Sequence, residues 1–281
     1  MIKKIDSKIL IFIILIIPIN QILWNYLLKI KFFQPVSLLS NDLIQPTLIV
    51  NLILILIFSI FIFKWGGLEL KDFFINKRKI IQGLKWTLAI WIFIQVFAII
   101  YSIVTQGDFE ILSVTNDKVG KLLGQYFGNA AFEELMYRGL FLTQFYLIFK
   151  QKKSNRTAIV LSIIVSQFIF SIIHIPNKLL IKQSDNLLLE LTTIFIVGVI
   201  FALIYIKTKN LILLVGVHSL INVPFILNEI NFPISLIVLF LIILIIVFWN
   251  KLKQNDENDF WKSIMIKEEE AQNANTKYRS Q

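Results

Sequence analysis

Apolar positions in this chain gather in long unbroken blocks, with neither the alternation of a half-buried strand nor the stripe of a surface helix. Eight blocks occupy roughly residues 9–28, 43–63, 83–104, 122–148, 157–175, 187–206, 210–227 and 231–249. Each is close to the ~20 residues a helix needs to cross a bilayer. A closed barrel would show short alternating strands, so helices are the backbone form that fits. The predicted fold class is all-α: a polytopic membrane protein of about eight transmembrane helices. The first block is too long for a signal-peptide core and lacks a small-residue cleavage site, which predicts a retained span. Three regions follow: helices 1–3 with their loops over 1–120, helices 4–8 over 121–249, and a polar tail over 250–281. The tail reads as a short solvated helix or as disorder.

Composition agrees with lipid: 57% of the 281 residues are hydrophobic, against about 45–50% in soluble domains. The formal net charge is +10, yet the basic residues sit in short runs between apolar blocks. That is loop charge, and it predicts a bilayer partner and no nucleic acid. With the N-terminus inside, 21 Lys and Arg fall on the inner side and 6 on the outer, leaving Arg138 within a block. The asymmetry predicts both termini in the cytoplasm. Richness in Ile, Asn, Lys and Phe points to an AT-rich genome and a bacterial plasma membrane. There is no cysteine, which excludes disulfides, thiol nucleophiles and thiolate metal sites.

Against this background three ionisable residues in the fourth block stand out. Glu133, Glu134 and Arg138 each cost about 2.5–3.5 kcal/mol at a helix centre on insertion scales. Glu134 and Arg138 lie about 40° apart on a helix and can pair. Glu133 lies about 140° from Arg138, so its carboxyl is left to face another helix or a cavity. The chain's 2 histidines both fall in apolar blocks: His174 ends the fifth, and His218 lies mid-block with Asn222 one turn on. Each alone reads equally as a hydrogen-bonded packing residue. Together they predict a membrane-embedded polar cavity in which the carboxylate is a general base. The imidazoles and amide would orient a water or bind an oxyanion. Ser162, Ser166, Phe170 and His174 recur every four residues and read as a packing seam.

The stretches "EELMYR" (Glu133, Glu134, Arg138), "FSIIH" (Phe170, His174) and "HSLIN" (His218, Asn222) resemble the EExxxR, FxxxH and HxxxN motifs of the CAAX protease and bacteriocin-processing (Abi, CPBP) family. That family includes the Ras-converting CAAX endopeptidases. The similar region runs from about 120 to 227. The resemblance implies a mostly eight-span fold, an active site within the membrane, and peptide-bond hydrolysis. It makes Glu133 the water-activating base. His174, His218 and Asn222 would hold the water or the tetrahedral intermediate, with Glu134 and Arg138 in support. Both metal-free and metalloprotease mechanisms attach to the family. The metal-free one is favoured here, with zinc on Glu133, His174 and His218 as the alternative.

Other intramembrane proteases are excluded by their missing motifs: no HExxH, no GxGD and no GxSG. Ser219, about 100° from His218, forms no dyad with it. The expected partner is a peptide or membrane-protein substrate, such as a bacteriocin or pheromone leader. The alternative function is a non-catalytic regulator or immunity protein that binds a sensor kinase or a secretion component. A proton-coupled transporter is disfavoured by the lack of inverted repeats and of paired broken helices. The charge count places His174 near the outer end of its helix, which requires a helix that is longer or broken, or a cavity that is deep or opens outward.

Overall fold

The computed structural model describes residues 2–108, 110–182, 185–228 and 230–252. From residue 253 on, the predicted polar tail lies outside them. Among the described residues there is no strand, only an isolated bridge between Ile111 and Asn228. The helices are α1 (Ser7–Lys29), α2 (Gln34–Leu39), α3 (Pro46–Ser59, prolonged by the π-helix Ile60–Trp65) and α4 (Lys77–Gln106). There follow α5 (an unbroken helical run over 116–149), α6 (Asn155–Ile172), α7 (Leu187–Thr208), α8 (Leu211–Asn222) and α9 (Ile234–Leu252). Met1–Ile246 form one compact unit, which contains the site described below.

All eight apolar blocks form helix, and by length and composition they divide into long spans and shorter apolar helices, among the latter Leu211–Asn222 and Ile234–Trp249. Among the described residues, five helices are long and apolar enough to cross a membrane: Ser7–Lys29, Pro46–Trp65, Leu70–Gln106, Asn155–Ile181 and Leu187–Thr208. The run 116–149 has the length but carries Glu133, Glu134 and Arg138. Helix α8 has only 12 residues, about 18 Å, well short of a hydrocarbon core of about 30 Å. Its early end has a local cause. Val223 precedes Pro224, whose ring disfavours helical backbone one residue upstream, and Val223 is extended at φ −140°. The fifth block also breaks early. Helix α6 stops at Ile172, and His174 sits in the turn before a one-turn helix, Ile175–Asn177, that contains Pro176.

Helix starts follow the polar punctuation between blocks. Asp6, Asn76, Thr115, Ser154, Asn186 and Asn210 each accept a hydrogen bond from a backbone N–H two or three residues on. The core lies where α1, α3, α5 and α6 meet, around Phe58, Ile62, Phe132, Met136, Leu140, Phe141 and Phe170. Outer faces carry large exposed apolar side chains such as Leu15, Ile19, Leu56, Ile100 and Phe168, as lipid-facing helices do. The long helix α4 packs against α8 through Gly216, where an added Cβ would lie 1.9 Å from Thr87 Oγ1. A small residue at that crossing lets the two backbones close up and fixes α8, which carries His218.

Contacts between loops sort them into two ends. At one end Lys3 binds Gly67 and Asp72, Ile5 N–H donates to Gln144, and Lys79 Nζ donates to the Thr208 carbonyl. At the other, Asn177 donates to Asn25, Gln45 to Asp117, and Leu112 N–H to the Leu227 carbonyl. These are the same two sets of loops that the Lys and Arg count separates.

Candidate active site

Helix α5 supplies the glutamates, and it is not a regular α-helix. Two π-helical segments, Gly124–Asn129 and Glu134–Leu142, flank the four-residue α segment Ala130–Glu133. Such wide turns redirect side chains and recur at functional sites. The local pairing read from the sequence is present: Arg138 Nη1 donates to Glu134 Oε1 at 3.0 Å, and both side chains are 0% exposed. Arg138 also lies 4.2 Å from the Phe170 ring centre and 5.3 Å from that of Phe201, within cation–π range. Its Nη2 reaches the Gly198 carbonyl at 3.5 Å. At Gly198 an added Cβ would stand 2.9 Å from Gln167 Oε1 and 3.3 Å from Arg138 Nη2, so glycine is what admits the guanidinium.

Glu133 points away from that pair, into a cavity of about 530 Å³ walled by α1, α3, α5, α6, α7 and α8. His174 and His218 line the same cavity. His174 Nε2 stands 3.6 Å from Glu133 Oε1, and His218 Nε2 stands 3.6 Å from Glu133 Oε2. The far side of each ring is tied down: His174 Nδ1 to the Phe170 carbonyl at 2.7 Å, and His218 Nδ1 to Glu134 Oε1 at 2.7 Å. Both Nδ1 partners are pure acceptors, so Nδ1 must hold the hydrogen, and the neutral ring leaves its lone pair on Nε2. In the neutral form of both rings, two lone pairs converge on the two oxygens of one carboxylate. Lone pairs and anionic oxygens repel unless a proton donor or a cation joins them. Each 3.6 Å gap suits a water seated to one side, within hydrogen-bond reach of both atoms.

The same donors suit zinc chemically. Each imidazole presents Nε2 while its Nδ1–H is oriented by an oxygen acceptor, the outer-shell pattern of metal-binding histidines. Glu133, His174 and His218 would hold the ion. Among the described residues, however, no three His, Cys, Asp or Glu side chains are drawn into a ready metal-binding set.

Five of the six residues singled out in the sequence meet directly around Glu133 and Glu134. Asn222 lines the cavity but donates to Gln125 Oε1 at 2.9 Å, nearer the mouth. Ser219 donates to the Val215 carbonyl and plays no part. Ser162 and Ser166 donate to carbonyls of their own helix and are buried, as a packing seam requires. Sequence reasoning missed Tyr137. Its ring packs edge-on against Phe170 at 4.9 Å, it is 1% exposed, and its buried hydroxyl in the cavity wall has no protein partner. The one-turn spacing from Glu133 was its only signal.

Across this framework a family model described as Type II CAAX prenyl endopeptidase Rce1-like matches residues 115–224. The segment is a CAAX protease family domain. It spans α5 to α8 and contains all six residues. No curated protein and no solved structure matches the chain. For this CAAX protease domain the family points to a membrane-embedded peptidase, and the apolar helices agree with a membrane protein.

Proposed function

We propose that the protein is an intramembrane endopeptidase in which Glu133 activates the hydrolytic water. The observation that carries this reading is the pair of imidazole Nε2 atoms facing the two oxygens of Glu133 at 3.6 Å. A water seated there gives one hydrogen to Glu133 and turns the other toward an Nε2, which leaves an oxygen lone pair free for a substrate carbonyl. Glu133 takes the proton as the oxygen attacks, and a tetrahedral intermediate forms. The protonated carboxyl then returns the proton to the departing amine, and the C–N bond breaks. With hydrogen on Nδ1, neither neutral imidazole can donate to the oxyanion from Nε2. Among the donors of the cavity wall, the Tyr137 hydroxyl, one turn from Glu133, and the Asn222 amide are assigned that role. Glu134 holds the His218 ring in the required tautomer, and Arg138 neutralises Glu134.

Zinc bound at Glu133, His174 and His218 would supply a Lewis acid and a more acidic water, and no step above depends on it. Incubation with a strong chelator is expected to leave hydrolysis unchanged. Inactivation that zinc reverses would replace the metal-free mechanism.

Tyr137→Phe separates catalysis from stability. Removing an unsatisfied buried hydroxyl is expected to raise the melting temperature, because such a group costs about 1–3 kcal/mol. Hydrolysis should fall about 10²-fold if that hydroxyl meets the oxyanion. Equal losses in both would make Tyr137 a packing residue.

The proposed topology has an odd feature. Both termini lie in the cytoplasm, while the cavity mouth, near Gln125 and Asn222, faces the side with few cationic loops. The direct test of function compares membrane peptides from cells that carry the wild-type chain with those from cells that carry Glu133→Gln. A peptide that is cut only with the wild type identifies substrate and bond together, and identical peptide sets would sink the reading.

A further inference from the structure

Four polar residues recur along α5 at every fourth position: Gln125, Asn129, Glu133 and Tyr137. In a regular α-helix each four-residue step turns about 40°, so three steps would carry Tyr137 about a third of a turn away from Gln125. The π segments offset that drift. Their i→i+5 bonds widen the turn, and each residue advances by a smaller angle. The step from Gln125 to Asn129 lies in one π segment, Asn129 to Glu133 in the α segment, and Glu133 to Tyr137 enters the other. All four side chains line the cavity. Gln125 and Asn129 are half-buried, Glu133 is 9% exposed and Tyr137 1%, so the seam runs from an open mouth to a closed end.

We infer that this seam is a track for an extended polypeptide, bound through its backbone and without any need for a lipid anchor. The inference rests on the hydrolase reading and names its substrate class. The seam is about 18 Å long, room for roughly five residues of extended chain. A peptide drawn out of water into an apolar cavity must replace the hydrogen bonds of its own N–H and C=O groups. Carboxamides do this one for one, since each offers both a donor and an acceptor. Gln125 already makes such a bond to an amide, that of Asn222, at 2.9 Å. The cavity walls from α1 and α3 are built alike. The Trp24 indole N–H is buried there with no protein partner, and Asn51 spends one of its two amide hydrogens on the Thr47 carbonyl, which leaves its oxygen to accept. Carboxamides are uncharged, so the track reads backbone and tolerates varied side chains.

The test uses purified full-length Glu133→Gln protein in detergent and a fluorescent pool of random twelve-residue peptides without lipid. The tightest binder is remade with a single backbone ester at each position in turn, which deletes one N–H donor at a time. Wild-type protein locates the cleaved bond. Esters within the residues next to that bond, on the side that lies along Gln125 and Asn129, are expected to weaken binding about tenfold. Esters elsewhere should change it less than twofold. Asn129→Leu should erase the effect at one position; Gln125→Leu, at the half-buried mouth, serves if the first variant does not fold. Uniform tolerance of esters, or binding only to peptides that carry a lipid, overturns the track. Because binding is scored on the Glu133→Gln protein, a normal ester scan with no cleavage by wild type would defeat the hydrolase reading and leave the track standing.

Discussion

Glu133→Gln should leave the protein folded and inserted while lowering peptide hydrolysis about 10²–10⁴-fold, the range for loss of a general base. The substitution keeps the shape of a side chain that is only 9% exposed. It removes the negative charge and the capacity to take a proton. Its effect on stability can be reasoned from the two Nε2 atoms at 3.6 Å. A carboxylate offers those lone pairs no hydrogen, whereas a carboxamide offers two. The variant should therefore melt at the wild-type temperature or slightly above it. Glu133→Asp keeps the charge but withdraws it by one methylene, so activity should fall while stability changes little. Thermal unfolding of the purified proteins, run beside cleavage of a peptide found in the cellular comparison, checks both halves. Full activity in pure Glu133→Gln protein would end the proposed mechanism. A large loss of folded protein would instead make Glu133 a structural anchor.

Part of this site is local in sequence, and that part was legible there. The contact between Glu134 and Arg138 needs only helical spacing, and the divergence of Glu133 follows from the same geometry. The meeting of His174 and His218 on opposite oxygens of Glu133 is tertiary. Spacing shows that the residues are polar and buried, but not which ring atom faces which oxygen. The bond from His218 Nδ1 to Glu134 is of that kind, and it alters the chemistry by fixing which nitrogen can donate. The helix ends were less legible because proline acts at a distance of one or two residues. Pro224 shortens α8, and Pro176 sits just past the turn that holds His174. Block counting by hydropathy registers neither. The π segments of α5 were invisible, since wide turns have no compositional signature. The four-residue repeat they align was present in the sequence but unreadable without them. The regulator alternative leaves the same residues in place, so only the cleavage assay separates it from hydrolysis.

Arg138→Ala should be the most damaging single change in the domain. Arg138 and Glu134 are both 0% exposed and sit 3.0 Å apart. Deleting one partner of a buried pair costs about 3–5 kcal/mol, because the other charge remains without compensation. That is a large share of the roughly 5–15 kcal/mol that holds a typical protein folded, so the yield of inserted protein should drop several-fold. The guanidinium also fills the space between Phe170 and Phe201, and alanine would leave a void there. Arg138→Lys should recover part of the yield by restoring the charge, though a point cation reproduces neither the fork toward Glu134 and the Gly198 carbonyl nor the ring stacking. The decisive variant is double. Glu134→Gln with Arg138→Gln removes both charges at once, and the carboxamide oxygen introduced at position 134 can still accept from His218 Nδ1. That ring keeps its tautomer, so the Nε2 lone pair still faces Glu133. The double variant should therefore fold better than Arg138→Ala and keep more activity, a coupling that separate substitutions do not reveal. Yield, melting temperature and cleavage rate of the three proteins measure it. If the double variant folds no better than Arg138→Ala, the charge pair is not what the buried arginine is for, and its contacts with the two phenylalanine rings carry its role.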